Sequence, residues 1–170
     1  MNDTPNPRSK ARRLLAEALI AIALFYGVSA YYQKDMLKDV APVIAAKGVN
    51  GSSLSLPSTS GKATLVYFFA EWCSACKLTS PAVDNIATDY PVLAIAADSG
   101  SDSDLKAFLK AKGYGFDALN DNGSLMHHFG VSGFPSIYVV DASGQIRFVT
   151  RGVSTEPALR ARLLLTELLQ

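Results

Sequence analysis

The chain has 170 residues, which is long enough for one domain with a proper hydrophobic core. Its 16 basic and 15 acidic side chains nearly cancel, and no basic stripe interleaved with aromatic residues occurs in its body, so the sequence excludes a typical nucleic-acid-binding protein. Hydrophobic residues make up 49% and charged residues 18%, which indicates a globular domain with an additional apolar segment.

That apolar segment lies near the amino end, at residues 14–32 (LLAEALIAIALFYGVSAYY), where Glu17 is the only charge. Its length is close to the ~20 residues that a helix needs to cross a bilayer. Four basic residues precede it within residues 1–13, whereas Lys34 and Asp35 cancel after it. This bias predicts a cytoplasmic basic tail at 1–13, a transmembrane anchor at 14–32, and the rest of the chain outside the cytoplasm.

Two other interpretations compete with the membrane anchor. A buried helix of a soluble protein would carry its apolar residues on one face, whereas here they surround the helix. A cleavable signal peptide is the closer rival, because the small residues 28–30 suit cleavage after Ala30. The long apolar run, with Tyr31 and Tyr32 at the expected outer interface, favours a retained anchor. Anchor and signal peptide alike send residues 33–170 across the membrane, where disulfides persist.

Beyond the anchor, residues 33–48 are expected to act as a spacer and residues 49–170 to form the folded domain. Apolar runs and turn residues predict strands and helices in alternation. The predicted strands are a short pair within 51–56, then 63–70, 91–97, 114–119, 135–140 and 145–151; the predicted helices are 73–89 (kinked at Pro81), 103–112, 123–129 and 155–169. This order predicts an α/β fold with a mixed central sheet flanked by helices.

The only two cysteines, Cys73 and Cys76, lie in the run WCSACK directly after the predicted buried strand. If Cys73 stands in the first turn of a helix, free backbone N–H groups and the helix dipole favour its thiolate. The i, i+3 spacing brings both sulfurs within reach of each other. The pattern predicts a redox-active disulfide, with both cysteines catalytic: Cys73 exchanges with the substrate and Cys76 resolves the mixed disulfide.

Other roles for the pair fit less well. A structural zinc site usually needs four ligands, and a c-type haem site needs histidine where this chain has Lys77. Peroxidases usually rely on a lone reactive cysteine framed by Thr and Pro. A copper metallochaperone holding its ion with Cys73, Cys76 and either His127 or His128 remains the alternative. For the oxidoreductase we expect no metal and no organic cofactor.

Residues 70–77 (AEWCSACK), with Pro81 five positions after the second cysteine, resemble the active-site segment of thioredoxins. Residues 130–141 (GVSGFPSIYVVD) resemble their second signature, which carries a cis-proline. The added helix and strand at 104–119 are similar to the membrane-tethered, extracytoplasmic TlpA-like or ResA-like branch, to the ScsD group and to cytochrome c maturation thioredoxins. The resemblance covers roughly residues 49–168.

This resemblance implies a thioredoxin-like fold and a membrane-tethered oxidoreductase that reduces disulfides of exported proteins, in cytochrome c maturation or copper stress. It implies a cis peptide before Pro135, which leaves the backbone of Phe134 free to pair with an extended substrate. Trp72 would give the substrate an apolar contact, so these three residues are the expected substrate-binding residues. For Trp72 and Phe134, simple core packing stays open. A membrane electron donor of the DsbD type would re-reduce the dithiol.

Two positions depart from the family pattern. Cytoplasmic thioredoxins carry a buried aspartate six positions before the first cysteine, where this chain has Tyr67, so the base for the resolving thiol is missing or supplied elsewhere. ResA-like proteins often have a glutamate in or near the motif, where Ser74 and Ala75 stand here. Glu71 is either its substitute or an exposed carboxylate. The lack of histidine between the cysteines favours a reductant over a strong oxidase.

Overall fold

The computed structural model describes residues 7–169, in two compact units that divide between Lys34 and Asp35. The first unit contains helix α1 (Pro7–Tyr32), so the helix predicted at 14–32 is confirmed and begins earlier. Its stretch Lys10–Tyr32 has a mean hydropathy of 1.8 and is long and apolar enough to cross a membrane. By length and composition it suits a membrane anchor or a signal sequence.

The second unit is an α/β domain. Its elements in chain order are β1 (Ile44–Lys47), β2 (Ser53–Leu56), β3 (Thr64–Phe69), α2 (Ser74–Ile86), β4 (Val92–Ala97), α3 (Asp102–Lys112), β5 (Ala118–Asp121), α4 (Ser124–His128), β6 (Ser136–Val140), β7 (Ile146–Arg151) and α5 (Glu156–Leu168). Helix α2 runs continuously through Pro81.

The central sheet has the strand order β5-β4-β3-β6-β7. Strand β3 pairs in parallel with β4 and antiparallel with β6, so the sheet is mixed, which confirms the prediction. All six residues of β3 are buried, as its unbroken apolar run requires of a strand covered on both faces. The carboxyl ends of β3 and β4 therefore meet at one edge of the sheet.

The core has two halves because side chains alternate across the sheet along each strand. On one face Tyr67 and Phe69 pack with apolar residues of α2, α3 and α5. On the other face Val66 and Phe68 pack with Phe129 and with apolar residues of the segment before β2. Helices thus cover the face on which α2, and with it the dithiol, is seated.

The segment after α1 differs from the expected spacer at 33–48. From Asp35 on, the chain belongs to the α/β domain, and Met36, Ala41 and Ile44 are buried in the second half of the core. Strand β1, which was not predicted, pairs with β2, so the short strand pair begins before residue 49. Removing these three apolar side chains from water lowers the free energy of the folded chain, and the segment therefore packs against the sheet.

The strand predicted at 114–119 was wrong in its bounds, because β5 begins only at Ala118. Gly113 ends α3 in the left-handed conformation (φ 69°), and the chain stays irregular after it. The backbone N–H groups of Gly115 and Phe116 donate to one carboxylate oxygen of Asp84 on α2, at 2.7 and 3.2 Å. Hydrogen bonds to α2 thus replace the strand pairing expected here.

Candidate active site

Cys73 is the N-cap residue of α2, and its sulfur accepts a hydrogen bond from the backbone N–H of Cys76 at 3.1 Å. The two cysteines form a disulfide, with their Cα atoms 5.3 Å apart. Both are buried, Cys73 being 6% and Cys76 2% exposed. The predicted setting of the pair, at the start of a helix that follows a buried strand, is confirmed. The first sulfur already lies where helix N–H groups would stabilise a thiolate.

The turn before the disulfide is held by the loop that follows β4. The backbone N–H of Glu71 donates to the Ser99 hydroxyl at 3.2 Å, and that hydroxyl donates to the Ala97 carbonyl at 3.0 Å. The Trp72 indole N–H donates to the Asp98 carbonyl at 3.0 Å. Asp98 has a positive φ of 50°, which is uncommon for a residue other than glycine. The last residue of β4 and the two residues after it thus fix the approach to Cys73.

The second signature lies beside this turn. The peptide between Phe134 and Pro135 is cis, as the family resemblance predicted, and Pro135 is buried. Strand β6 begins directly after it and pairs Ser136 with Phe68, near the end of β3. The Phe134 ring meets the Trp72 ring edge-on, with centroids 5.9 Å apart. We call residues 132–135 the proline loop.

A groove of about 390 Å³ opens between the turn and the proline loop. Its lining residues are Trp72, Cys73, Asp98, Met126, Ser132, Gly133 and Phe134. Trp72 and Phe134, expected from the sequence, therefore lie with Cys73 on one surface, whereas Cys76 and Pro135 are buried behind it. Of the lining residues that sequence reasoning did not name, Ser132 and Gly133 lie in the signature at 130–141, and Asp98 follows the predicted strand 91–97. Met126 comes from α4, and nothing local in the sequence places that helix here.

Tyr67 lies beneath the second cysteine, at the position of the missing aspartate. Its hydroxyl pairs with the Ser80 hydroxyl at 2.9 Å and donates to the Cys76 carbonyl at 3.4 Å. Burial raises the pKa of this phenol well above its ordinary value, although the Ser80 hydrogen bond opposes the shift. Tyr67 therefore stays protonated at neutral pH, as a hydrogen-bond donor to the first turn of α2 and not as a base.

Residues 37–149 match the family described as AhpC/TSA. The chain belongs to the AhpC/TSA family. A thioredoxin-like protein of Haemophilus influenzae is 27% identical over 164 residues, covering 93% of this chain and 98% of the relative. The thiol-disulfide oxidoreductase ResA of Bacillus cereus is 22% identical over 156 residues, covering 88% and 90%.

Solved structures agree with this assignment. The pneumococcal exposed lipoprotein thioredoxin Etrx1 of Streptococcus pneumoniae matches with a TM-score of 0.65 and 26% identity, over 72% of this chain and 98% of that chain. The thioredoxin-like fold expected from the two sequence signatures is confirmed. The resemblance to ResA-like proteins is confirmed by the relatives.

The copper alternative needs a third ligand beside the two sulfurs. Within the described residues of this AhpC/TSA family member, no group of three or more His, Cys, Asp or Glu side chains is placed to hold a metal ion. His127 and His128 are exposed on α4 and do not form such a group with Cys73 and Cys76. Glu71, the possible substitute for the glutamate of ResA-like proteins, is half-buried. Its hydrogen bond to Ser99 comes from its backbone N–H.

Proposed function

We propose that this protein is an extracytoplasmic thiol–disulfide oxidoreductase that reduces disulfides of exported proteins. The observation that carries the proposal is the Cys73–Cys76 disulfide, whose first sulfur caps α2 and lines the groove beside the proline loop. The oxidoreductase activity is that for which the thiol-disulfide relatives are named. Protein thiols and disulfides are accordingly its substrates.

The reaction in the reducing direction follows from the two positions. The Cys73 thiolate, stabilised at the start of α2, attacks one sulfur of a substrate disulfide, and the other substrate sulfur leaves as a thiolate. Cys76 then loses its proton to solvent and attacks the Cys73 sulfur. The mixed disulfide breaks, the substrate leaves with both sulfurs reduced, and the Cys73–Cys76 disulfide forms. Two electrons have passed from the dithiol to the substrate.

Tyr67 limits how this cycle handles protons. Because its phenol stays protonated, it takes no proton from Cys76 at neutral pH. Its contribution is the hydrogen bond to the Cys76 carbonyl, which holds the first turn of α2. The proton of the resolving thiol therefore goes to water or to a group other than Tyr67.

The groove supplies substrate contacts. Trp72 is 60% exposed and offers an apolar surface beside the Cys73 sulfur. The backbone of Phe134 would pair with an extended substrate segment as an added strand. Pro135, buried beneath, keeps this backbone next to the dithiol. Candidate substrates are cysteines of apocytochrome c, of copper-handling proteins and of other exported thiol proteins.

The amino-terminal helix determines where the reaction takes place. We propose that α1 is retained as a single-pass anchor in the cytoplasmic membrane, with residues 1–13 inside and the α/β domain facing the periplasm or cell exterior. Glu17, the only charge in the apolar run, is paired with Arg13 at 2.9 Å, which lowers the cost of its place near the inner interface. A membrane electron donor of the DsbD type would re-reduce the dithiol.

Acid-trapping followed by alkylation of the full-length protein in its native membrane tests the direction of electron flow. We expect Cys73 and Cys76 to be mostly reduced at steady state and to become oxidised when the donor is removed. A mostly oxidised pair would contradict the reducing direction. The mass of the membrane-bound chain decides the anchor question, since cleavage after Ala30 would remove the basic tail and most of α1.

A further inference from the structure

One arginine outside the groove contacts the loop that forms its wall. Arg151 is the last residue of β7 and pairs with Ser136 in the β6–β7 ladder. Its guanidinium reaches the proline loop, where Nη1 donates to the Ser132 hydroxyl at 3.0 Å and Nη2 donates to the Ser132 carbonyl at 2.9 Å. The planar fork of arginine thus holds one residue through two atoms at once.

The next residue of the loop is shaped to admit this guanidinium. A Cβ atom at Gly133 would clash with the end of the Arg151 side chain. Gly133 does not have a positive φ, so a side chain at this position would meet the Arg151 guanidinium and not the steric restriction of a left-handed backbone. Arg151 and Gly133 therefore form a matched pair: the side chain of one occupies the space that the other leaves empty.

The two sides of the loop are held differently. On the inner side the buried Ser136 hydroxyl donates to the Gly133 carbonyl at 2.7 Å. On the outer side the contacts to Ser132 come from Arg151. Ser132, Gly133 and Phe134 all line the groove beside Cys73. Releasing the outer side would let this wall move while the sulfurs keep their place at the start of α2.

We propose that Arg151 is a positioning residue for substrate docking: it fixes the proline loop in the conformation that presents the Phe134 backbone to an extended substrate segment. This inference rests on the proposed function, since docking matters only if a protein disulfide binds in the groove. Arg151 does not line the groove, so it acts through Ser132 and Gly133. Its loss should weaken substrate binding and leave the chemistry of the dithiol unchanged.

Steady-state kinetics of the full-length protein with a disulfide-bonded peptide test this claim. Arg151→Ala removes both hydrogen bonds to Ser132 and should raise KM about tenfold, which corresponds to about 1.4 kcal/mol for the two exposed bonds together, with kcat unchanged. Arg151→Lys should restore little, because an ammonium group lacks the planar fork. Arg147→Ala is the matched control: it removes an arginine from the same strand whose partner is Asp141 and not the loop, so KM should stay unchanged.

Gly133→Ala tests the matched pair. Alone it should raise KM as much as Arg151→Ala, because the new methyl group displaces the guanidinium. The double variant should be no worse than Arg151→Ala alone, since the clash and the contact disappear together. Equilibration with glutathione should give the same redox equilibrium constant for every variant. An unchanged KM in Arg151→Ala, a loss confined to kcat, or additive effects in the double variant would overturn the proposal.

A readout without turnover separates this inference from the proposed function. Trp72 is the only tryptophan in the chain, and its ring touches that of Phe134, so its fluorescence reports where the loop lies. Arg151→Ala should change Trp72 emission, whereas Arg147→Ala should not. If the wild type reduces no disulfide, the proposed function fails, and the docking role of Arg151 fails with it even if the loop moves. If the wild type turns over and Trp72 emission does not respond to Arg151→Ala, only the role of Arg151 fails.

Discussion

The turn that carries the sulfurs and the proline loop face each other across one groove, but they are held in different ways. The turn is fixed by the buried hydroxyl of Ser99, which is 1% exposed, and by the backbone carbonyl of Asp98. The proline loop is fixed on its outer side by the side chain of Arg151. An unmet hydrogen bond costs more in a buried site than in an exposed one, where water can replace the partner.

This difference separates two properties of the site. The geometry of the reacting sulfurs depends on the folded framework, so changes there should alter stability and chemistry together. The geometry of docking depends on a contact near the surface, so changes there should alter substrate affinity with little effect on stability.

The largest effect is expected at Cys73. Cys73→Ser and Cys73→Ala should both abolish disulfide exchange, because Cys73 is the one cysteine among the residues that line the groove. They should differ in stability: serine can still accept the hydrogen bond from the Cys76 N–H, whereas alanine loses the N-cap at a cost of about 1 kcal/mol. Urea unfolding under reducing conditions measures the difference. Equal stabilities would show that the cap contributes nothing, and residual exchange in either variant would contradict the role of Cys73.

A smaller effect on exchange is expected when the turn loses the hydrogen bond from Glu71 to Ser99. Ser99→Ala leaves the Glu71 N–H without its partner inside the protein and should lower the free energy of unfolding by about 1–3 kcal/mol. It should also change kcat, since the path of the chain into Cys73 is altered. Ser53→Ala, at an exposed serine of β2, is the control and should change neither quantity. If Ser99→Ala were as stable as the wild type, the claim that the turn depends on the buried Ser99 hydroxyl would be contradicted.

The equivalent change on the proline loop should cost less. Ser136→Ala removes one hydrogen bond, from its hydroxyl to the Gly133 carbonyl, whereas Ser99→Ala removes two. We expect a loss of about 1 kcal/mol or less, together with a higher KM and an unchanged kcat. Urea unfolding and steady-state kinetics of Ser136→Ala and Ser99→Ala, measured side by side, test this expectation. If Ser136→Ala proves the more destabilising of the two, the division between turn and loop is incorrect.

The smallest effect on exchange at neutral pH concerns two buried tyrosines. Tyr67→Phe and Tyr138→Phe should each lower the free energy of unfolding by about 1–3 kcal/mol, since each leaves a buried partner without its hydrogen bond. Only Tyr67→Phe should affect exchange, because only Tyr67 bonds to the Cys76 carbonyl. Neither variant should shift the pH dependence of exchange between pH 6 and 9. A shift confined to Tyr67→Phe would mean that this phenol handles a proton.

The same tyrosines predict an alkaline loss of stability. Burial raises the pKa of Tyr67 and Tyr138 above the ordinary value of about 10. Above that pH the unfolded chain ionises its tyrosines while the folded chain keeps them protonated, so the free energy of unfolding falls as the pH rises. Each phenylalanine variant should reduce this slope by up to about 1.4 kcal/mol per pH unit. Urea titrations at pH 9 to 11 measure it, and slopes equal to that of the wild type would contradict the shifts.

Much of the frame around the dithiol could be predicted because its signals are local. The unbroken apolar run of β3 leads directly to Cys73, the i, i+3 spacing fixes the pair, and the segment around Pro135 matches a known signature. The domain boundary was misplaced because Met36, Ala41 and Ile44 are too widely spaced to show a helical or strand period, and their burial depends on a sheet formed later in the chain.

The contacts that set the shape of the groove could not be predicted for a similar reason. Ser99 lies 28 residues from Glu71, and Arg151 lies 19 residues from Ser132. Neither pair leaves a pattern in the sequence. The first exists because the carboxyl ends of the parallel strands β3 and β4 meet, and the second because β7 pairs beside β6. Tyr67 was located correctly, but its role as a hydrogen-bond donor to the Cys76 carbonyl required the structure.

The most direct test of the central claim is to trap the mixed disulfide and identify the sulfur that forms it. Full-length Cys76→Ala, expressed in its native membrane and quenched with acid, should be found joined to exported cysteine-containing proteins through Cys73, as mass spectrometry of the linked peptides would show. Cys73→Ala should trap none. Substrates joined through Cys76, or no mixed disulfide in either variant, would contradict the account.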